Sequence, residues 1–476
     1  MTALALLLLP AIVIAVAAPG PNKIYDASKF TALVSKTEHG VLYRIDAPDA
    51  APLDVLHIFG TSFERGRAQG QLLNTRLLDF VGPHLDTFYS QQIFSLLGGC
   101  LEPGQKCSLP RWLAEAIRVL KPTIRRDAPK AFDLALGWLE ELQRPHNNAS
   151  AAKIYDEMAG IARGACEAAS AAGRACDEDT LRVKLNRVNV LGDLIKMQCT
   201  VLGAWGTATP DGKLVQLRAL DFGDGPFANA TLLKVHHPSA EAAERSAVGV
   251  GGALAVATAA PQPFAELSFP GFVGVVTGLS PTIGLSEKVN DIHGGGTPPG
   301  TYKGQATSYV MRDMLQFGAD SATAIAIAQR AQRTWSIWLG VGDAASNRLD
   351  VLGYSQAAAN VYDDKTLPAL TGGPTFDDVA YVDKHAQPSS ATDLPDAIRA
   401  RLGRLSGEVV ASNLPRLHTT GDVHVMVADF AQRHLLVAKG TTSANSTYLG
   451  QGARKAYAAP FLRFATDALW AEPRPR

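Results

Sequence analysis

The spacing of apolar residues changes near the middle of the chain. Up to Met197 these residues recur mostly at helical spacing, which predicts helices over residues 131–142, 151–165 and 181–195. From Cys199 onward the apolar residues form short continuous or alternating runs, which is typical of strands. The pattern therefore divides the chain into a mostly helical block, residues 19–198, and a strand-rich part, residues 199–476.

The strand-like runs have a definite order. VLYRI and LDVLHIF precede the helices; CTVLGAW, LVQLRALDF, ATLLKVHH and FVGVVTGL follow them. A helical pair over residues 308–317 and 322–333 comes next, and four further strand runs end with the hairpin DVHVMVADF and HLLVAKG. Strands, two helices and strands again predict an α+β fold with two packed sheets and helices outside. The Pro-, Gly- and Asp-rich segment 363–388 is expected to be a surface loop.

One hairpin brings reactive side chains together. The turn signal Thr209-Pro-Asp-Gly separates CTVLGAW from LVQLRALDF. The first strand begins with Cys199, and the returning strand carries Arg218 and Asp221 back beside it. This arrangement suits a nucleophilic enzyme.

Composition narrows the class of protein. Of the 476 residues, 46% are apolar and 19% are charged, so a large ordered core is expected. The formal net charge is zero and no long basic run occurs, so we expect no nucleic-acid partner.

The N-terminus is expected to direct the chain into the secretory pathway. Residues 3–16 are almost wholly apolar and precede a small-residue cleavage pattern, which predicts a signal peptide over residues 1–18; an uncleaved anchor is the alternative. Sequons predict glycosylation at Asn148, Asn229 and Asn445. We therefore expect a secreted or lysosomal glycoprotein.

The five cysteines fit an oxidising compartment. Cys100 and Cys107 flank one short loop and Cys166 and Cys176 another, so both pairs are predicted disulfides. Cys199 remains, either as a reactive thiol or as a buried, inert cysteine.

A thiol needs a base to become a good nucleophile. Cleavage before Cys199 would free its own α-amino group, whose reference pKa of about 7.7–8.0 suits a base near neutral pH. Asp221 could orient this amine, and Arg218 could lower the thiol pKa or hold a polar substrate group. Such chemistry requires no metal and no cofactor.

These residues resemble a known family. Cys199-Thr200, the hairpin and Arg218-Ala-Leu-Asp-Phe222 are similar to the start of the catalytic chain in the isopenicillin-N acyltransferase family of N-terminal-nucleophile hydrolases, related to acid ceramidase and N-acylethanolamine acid amidase. The glycine-punctuated segment GTSFERGRAQG resembles an early element of the same family, although the segment by itself favours a packing turn in which glycines permit close approach.

The resemblance implies an αββα sandwich and self-cleavage between Gln198 and Cys199, with the two chains remaining associated. It also implies hydrolysis or transfer of a small-molecule or lipid acyl amide through a thioester. The sequence departs from the family pattern at Ala219 and Ser280. The strand Trp335–Asp343 lacks the usual oxyanion asparagine, and Asn413 is the nearest substitute.

The sequence is also compatible with several other sites and functions. A Cys199–His424 dyad would give a protease-like site, and His293-Gly-Gly-Gly resembles a lipase loop without a following G-x-S-x-G elbow. No HExxH or paired CxxC indicates a metal site. A phospholipase B-like acyl hydrolase and a non-catalytic lipid- or partner-binding glycoprotein are the rival functions. The apolar helix face at Trp112 would contact either a membrane or the core.

Overall fold

The computed structural model describes residues 20–89, 127–194, 198–222, 226–239, 260–290, 302–442 and 454–476, with positions 115, 118, 119 and 122. The predicted signal peptide, the Trp112 face, the Cys100–Cys107 pair, the His293 loop and Asn445 lie outside these residues. No helix within them combines the length and apolarity that a bilayer crossing requires.

Seven described strands form the first sheet, in the order β1-β17-β16-β15-β6-β5-β14. They are β1 (Ile24–Asp26), β5 (Gln198–Gly206), β6 (Gly212–Asp221), β14 (Val379–Val382), β15 (His424–Asp429), β16 (His434–Lys439) and β17 (Phe461–Ala465). Its centre, β15-β6-β5, is antiparallel, and β14 closes the edge beside β5.

Ten described strands form the second sheet, in the order β13-β12-β11-β10-β9-β8-β7-β4-β3-β2. They are β2 (Thr31–Thr37), β3 (Gly40–Ile45), β4 (Leu53–Gly60), β7 (Leu232–Pro238), β8 (Phe264–Ser268), β9 (Thr277–Leu279), β10 (Ile283–Val289), β11 (Ile337–Asp343), β12 (Arg348–Tyr354) and β13 (Ala359–Tyr362). Its strands are antiparallel except at the β4–β7 junction, which is parallel.

The described residues also form eleven α-helices. They are α1 (Ser62–Asp79), α2 (Ala128–Asn147), α3 (Ile154–Ala171), α4 (Glu178–Val188), α5 (Phe227–Ala230), α6 (Thr307–Phe317), α7 (Ser321–Arg330), α8 (Pro368–Thr371), α9 (Asp393–Arg399), α10 (Gly407–Leu417) and α11 (Thr466–Trp470). Helices α9 and α10 pack on the first sheet, while α1, α6 and α7 pack on the second. The two inner faces share apolar clusters, so the fold is an α+β sandwich with αββα layers, as predicted.

The glycine-punctuated segment belongs to a close helix crossing. Thr61 caps α1 in a reciprocal capping box with Glu64, and the helix begins at Ser62. Four glycines of α1 and α3 face the other helix at van der Waals distance, and a methyl group at any of them would overlap its backbone; they are Gly66, Gly70, Gly160 and Gly164. The packing interpretation of this segment is therefore confirmed.

A buried ionic cluster ties these helices to the second sheet. Glu157 of α3 accepts hydrogen bonds from Arg65 of α1 at 3.2 Å and from Arg312 of α6 at 2.9 Å. On the sheet, Glu266 contacts Lys234 at 2.7 Å and His236 at 2.9 Å, and all six side chains are almost fully buried. Because the charges are paired, their burial is tolerated.

The part of the chain before residue 198, predicted to be a mostly helical block, contributes strands as well as helices. It supplies β1 to the first sheet and β2, β3 and β4 to the second, in addition to its helices. β1 pairs with β17 near the C-terminus, and β4 pairs with β7. The described residues before and after position 198 are therefore interleaved in one layered structure.

Two other predictions have clear outcomes. The Cys166–Cys176 disulfide is present and joins the end of α3 to the segment that leads into α4. The expectation of a surface loop over residues 363–388 was wrong, because Val379–Val382 forms the buried strand β14. Proline and glycine around it obscured a short strand of four residues.

The α1–α3 crossing gives a stability prediction. Gly164→Ala should lower the free energy of unfolding by about 1–3 kcal/mol or more, because the new methyl group meets the Arg67 carbonyl of the facing helix. Urea denaturation measures the change. Gly192→Ala is the matched control, since a methyl group there would meet no atom within 4 Å. Equal stability of both variants would contradict this account of the crossing.

Candidate active site

The predicted hairpin is formed by β5 and β6, and Cys199 is the second residue of β5. Its side chain is completely buried and its thiol is free. The sequence prediction of an unpaired thiol at this position is therefore confirmed.

Strand register decides which side chains accompany the thiol. Cys199 lies opposite Leu220 of β6, and Leu220 lies opposite His424 of β15. Arg218 lies opposite Val201, two residues along β5 from Cys199. Opposed residues share a face, as do residues two apart on one strand, so the thiol, guanidinium and imidazole all face the space between the sheets.

Arg218 is the centre of this group. One guanidinium nitrogen, Nη2, donates to Cys199 Sγ at 3.2 Å and to Glu287 Oε2 at 3.1 Å. Nε donates to the Glu287 carbonyl at 3.3 Å, and Nη1 lies 3.0 Å from His424 Nε2. Since Glu287 belongs to β10, this fully buried arginine joins the two sheets directly behind the thiol.

Burial dominates the electrostatics of the thiol. Removal from water raises the pKa of Cys199 to about 12, and the positive charge of Arg218 opposes this rise without cancelling it. The carboxylates of Glu287 and Asp221 raise the pKa further. In the uncut chain the thiol is therefore protonated at neutral pH, and a nearby base is required to activate it.

His424 does not supply that base in this geometry. One strand separates it from Cys199, and its Nε2 faces the Arg218 guanidinium. Burial lowers its pKa well below the ordinary value, and Arg218 lowers it further, so the ring is neutral and Nε2 accepts from the arginine. The structure does not form the Cys199–His424 dyad considered from the sequence.

Asp221 lies at the end of β6, opposite Gln198, and its carboxylate is held by a turn. Thr420 Oγ1 donates to Oδ2 at 2.6 Å, while the backbone N–H groups of Gly421 and Asp422 donate to Oδ1 at 2.7 and 3.2 Å. Burial raises the pKa of Asp221, and these hydrogen bonds oppose the rise.

The turn requires the residue types found in it. Gly421 has a φ of +92°, a conformation that strongly favours glycine. A side chain at Gly421 would press against the Ala219 methyl group and Val425. Ala219, which departs from the family pattern, therefore lies directly beneath the turn that holds Asp221.

The carboxylate and the thiol are on different faces of the hairpin. Thr200 shares its face with Asp221, and its hydroxyl lies 2.7 Å from that of Thr420. Asp221 therefore approaches Cys199 from the backbone side, at the end of β5 where Gln198 is exposed. The hairpin predicted from the sequence brings Cys199, Arg218 and Asp221 to the same end of the two strands, but the sequence could not show which face of the hairpin each side chain occupies.

The structure contradicts the role proposed for Asn413. This residue lies on α10, where its amide donates to Val409 O at 3.0 Å and to Ser412 Oγ at 2.8 Å. Helix α10 covers the face of β6 that carries Ala219, away from Cys199. Asn413 is therefore not an oxyanion donor for the thiol in this arrangement.

Sequence reasoning missed Glu287, Thr420 and Gly421. Glu287 comes from the other sheet, and the turn follows α10, so no local motif links them to Cys199.

Of the described sequons, Asn148 is exposed, whereas both amide atoms of Asn229 are hydrogen-bonded to Thr442.

Two proteins of a single organism are similar to this chain in sequence over most of its length. Protein dcd1A of Dictyostelium discoideum is 29% identical over 431 residues, covering 89% of this chain and 86% of that protein. Protein dcd1B of the same organism is 26% identical over 458 residues, covering 94% and 81%. No family model matches the chain.

Two solved structures show partial similarity. The N-acylethanolamine-hydrolyzing acid amidase ortholog of Caenorhabditis elegans has a TM-score of 0.33 and 15% identity, covering 49% of this chain and 93% of its own. Penicillin V acylase from Agrobacterium tumefaciens has a TM-score of 0.34 and 11% identity, covering 51% and 83%.

The Arg218–Glu287 pair gives a second stability prediction. Arg218→Leu should destabilise the fold by about 3–5 kcal/mol, because it leaves the Glu287 carboxyl buried without its cation. Adding Glu287→Leu should restore most of this loss, since an apolar pair has no charge to bury. Urea denaturation of the single and double variants measures both effects. A single variant as stable as the unmodified protein would show that the pair does not hold the sheets together.

Proposed function

We propose that the protein is a self-processing cysteine N-terminal-nucleophile amidohydrolase or acyltransferase. The supporting observation is a free, buried thiol at the start of β5 that receives a 3.2 Å hydrogen bond from Arg218 but has a pKa raised to about 12. Among the described residues, no histidine or carboxylate is hydrogen-bonded to Sγ. The α-amine of Cys199 would supply the missing base.

Self-cleavage would create that amine. The Cys199 thiol attacks the carbonyl carbon of Gln198, the C–N bond breaks, and the acyl group moves to sulfur while the α-nitrogen takes a proton. Water then hydrolyses the thioester, which leaves a Gln198 carboxylate and a Cys199 thiol with a free amine. The exposed position of Gln198 favours access of water to this bond.

Substrate turnover would repeat the chemistry with another acyl group. The amine takes the thiol proton, sulfur attacks the amide carbonyl, and the ammonium protonates the departing amine. Water or a second amine then cleaves the thioester. Asp221, held by Thr420 and Gly421, would orient the amine, and Arg218 would stabilise the thiolate.

An apolar acyl group is the substrate part that the surroundings favour. Phe222 follows Asp221 directly and lies 4.9 Å from Phe227, between ring centroids. Phe227 contacts Phe269 at 4.9 Å, and Phe269 lies 6.1 Å from the His424 ring. This aromatic cluster adjoins the Arg218 group and supports acyl amides with hydrocarbon chains as substrates.

The processed chains would remain associated. The β1–β17 and β4–β7 pairings and the Arg65–Glu157–Arg312 contacts all join residues before Gln198 to residues after Cys199. The Cys166–Cys176 disulfide supports folding in an oxidising compartment, in agreement with the proposed secreted or lysosomal location.

Self-cleavage is tested by the chain composition of the purified protein. We expect two fragments on a denaturing gel, with the second beginning Cys-Thr-Val, and a single uncut chain for Cys199→Ala. The double variant Cys166→Ser/Cys176→Ser is the cysteine control and should still be cut, because it leaves Cys199 unchanged. Two fragments from Cys199→Ala, or an uncut unmodified chain, would refute self-cleavage at this bond.

Substrate class is tested on the same material with two substrates. A fluorogenic N-acyl amide should release its amine, and Cys199→Ala should lose this activity by at least about 10³-fold, because both nucleophile and amine-assisted activation are disrupted. Release of fatty acid from phosphatidylcholine vesicles without amide hydrolysis would instead favour the phospholipase B-like alternative. Failure of an acylating probe to label Cys199 would favour the non-catalytic glycoprotein.

A further inference from the structure

A second group of reactive side chains lies on the outer side of the first sheet. Asp383 and His385 follow β14, the edge strand that pairs with β5, and His418 is the C-cap of α10. One donor atom from each of the three lies within 4.8 Å of the other two. None of them belongs to the Cys199 group.

His418 has the orientation of a metal ligand. Its Nδ1 lies 2.9 Å from Asp393 Oδ2, so this nitrogen carries the proton and donates to the carboxylate. Its side chain is completely buried, and its Nε2 has no hydrogen-bond partner among the described residues. A carboxylate on one ring nitrogen and a lone pair on the other is the usual arrangement of a histidine bound to zinc.

The other two side chains complete a two-histidine, one-carboxylate set. His385 Nδ1 lies 3.4 Å from Asp383 Oδ1, which matches the roughly 3.4 Å between two ligands of a tetrahedral zinc ion. The Asp383 carboxylate is oriented by the N–H of His385 at 2.8 Å and by Ser389 Oγ at 2.6 Å. Since the His385 side chain is 45% exposed, its ring can move and shorten the remaining distances, of up to 4.8 Å, among the three ligand atoms.

Local charge favours a cation at this position. Asp383 and Asp393 bring two carboxylates to the group, and the neighbouring ammonium, that of Lys384, donates to the Thr419 carbonyl at 2.8 Å. The exposed side of His385 leaves a fourth position open to water.

We propose that Asp383, His385 and His418 bind a divalent cation of the zinc type, with Asp393 orienting His418. The ion joins the edge strand β14 to the end of α10. Directly after His418 the chain forms the turn in which Thr420 and Gly421 bind Asp221. The metal site therefore stabilises the turn that positions this carboxylate, and its existence is independent of the reaction proposed for Cys199.

Little in the sequence indicates this site. The short pair Asp-x-His is common, and His418 is brought to it only by packing of α10 against the sheet. A search for HExxH or paired CxxC motifs therefore could not find it.

The test is metal binding by the full-length protein after treatment with a chelator and dialysis. Isothermal titration should give one Zn²⁺ per chain, and Co²⁺ should give the visible absorption of a tetrahedral or five-coordinate site with nitrogen ligands. His385→Ala should weaken Zn²⁺ binding at least tenfold; because this side chain is half exposed, the variant should fold normally. His84→Ala, at an exposed histidine outside the group, is the control and should bind as the unmodified protein does.

Asp383→Asn gives a second, independent measurement, since it removes the ligand charge while retaining most hydrogen bonds. Zn²⁺ should raise the melting temperature of the unmodified protein and of His84→Ala, but not that of His385→Ala or Asp383→Asn. Absence of stoichiometric binding, or equal affinity in His385→Ala and the unmodified protein, would overturn the proposal. Neither result would depend on whether the chain is cut before Cys199.

Discussion

The site depends on the contacts that the buried guanidinium of Arg218 makes with both sheets. A cation removed from water is unstable unless anions or dipoles surround it, and here the Glu287 carboxylate, the Glu287 carbonyl and the His424 ring provide them. Because these partners come from both sheets, the arginine fixes how the sheets face each other. The thiol of Cys199 lies against the same group and takes its position from it.

The side chains of the site are divided between the two faces of the β5–β6 hairpin. The thiol and Arg218 face the space between the sheets, whereas Asp221 is held by the turn after α10 on the other side. The backbone of residue 199 is the part of the chain that both groups can approach. This geometry supports the proposal that the nucleophile uses its own main-chain nitrogen, and not a neighbouring histidine, as its base.

The interleaving of the segments before and after Gln198 has a consequence for such a mechanism. A cut inside a single polypeptide is compatible with function only when the fragments remain bound. Here strands of both sheets pair across the division, and the buried Glu157–Arg312 contact joins α3 before it to α6 after it. Separation of the fragments would break these strand pairs and expose the apolar surface between the sheets to water, which opposes dissociation.

The sequence by itself determined the local features. Apolar spacing predicted the β5–β6 hairpin, most central strands and the α6–α7 pair, because each depends on neighbouring residues. Cysteine spacing predicted Cys166–Cys176 and the free Cys199. Only the tertiary structure showed that Glu287 lies behind the Cys199 thiol, that Asn413 lies away from this thiol, and that His418 lies beside Asp383. Those contacts join elements far apart in the chain, and their geometry is set by sheet register and helix packing, which no short stretch of sequence encodes.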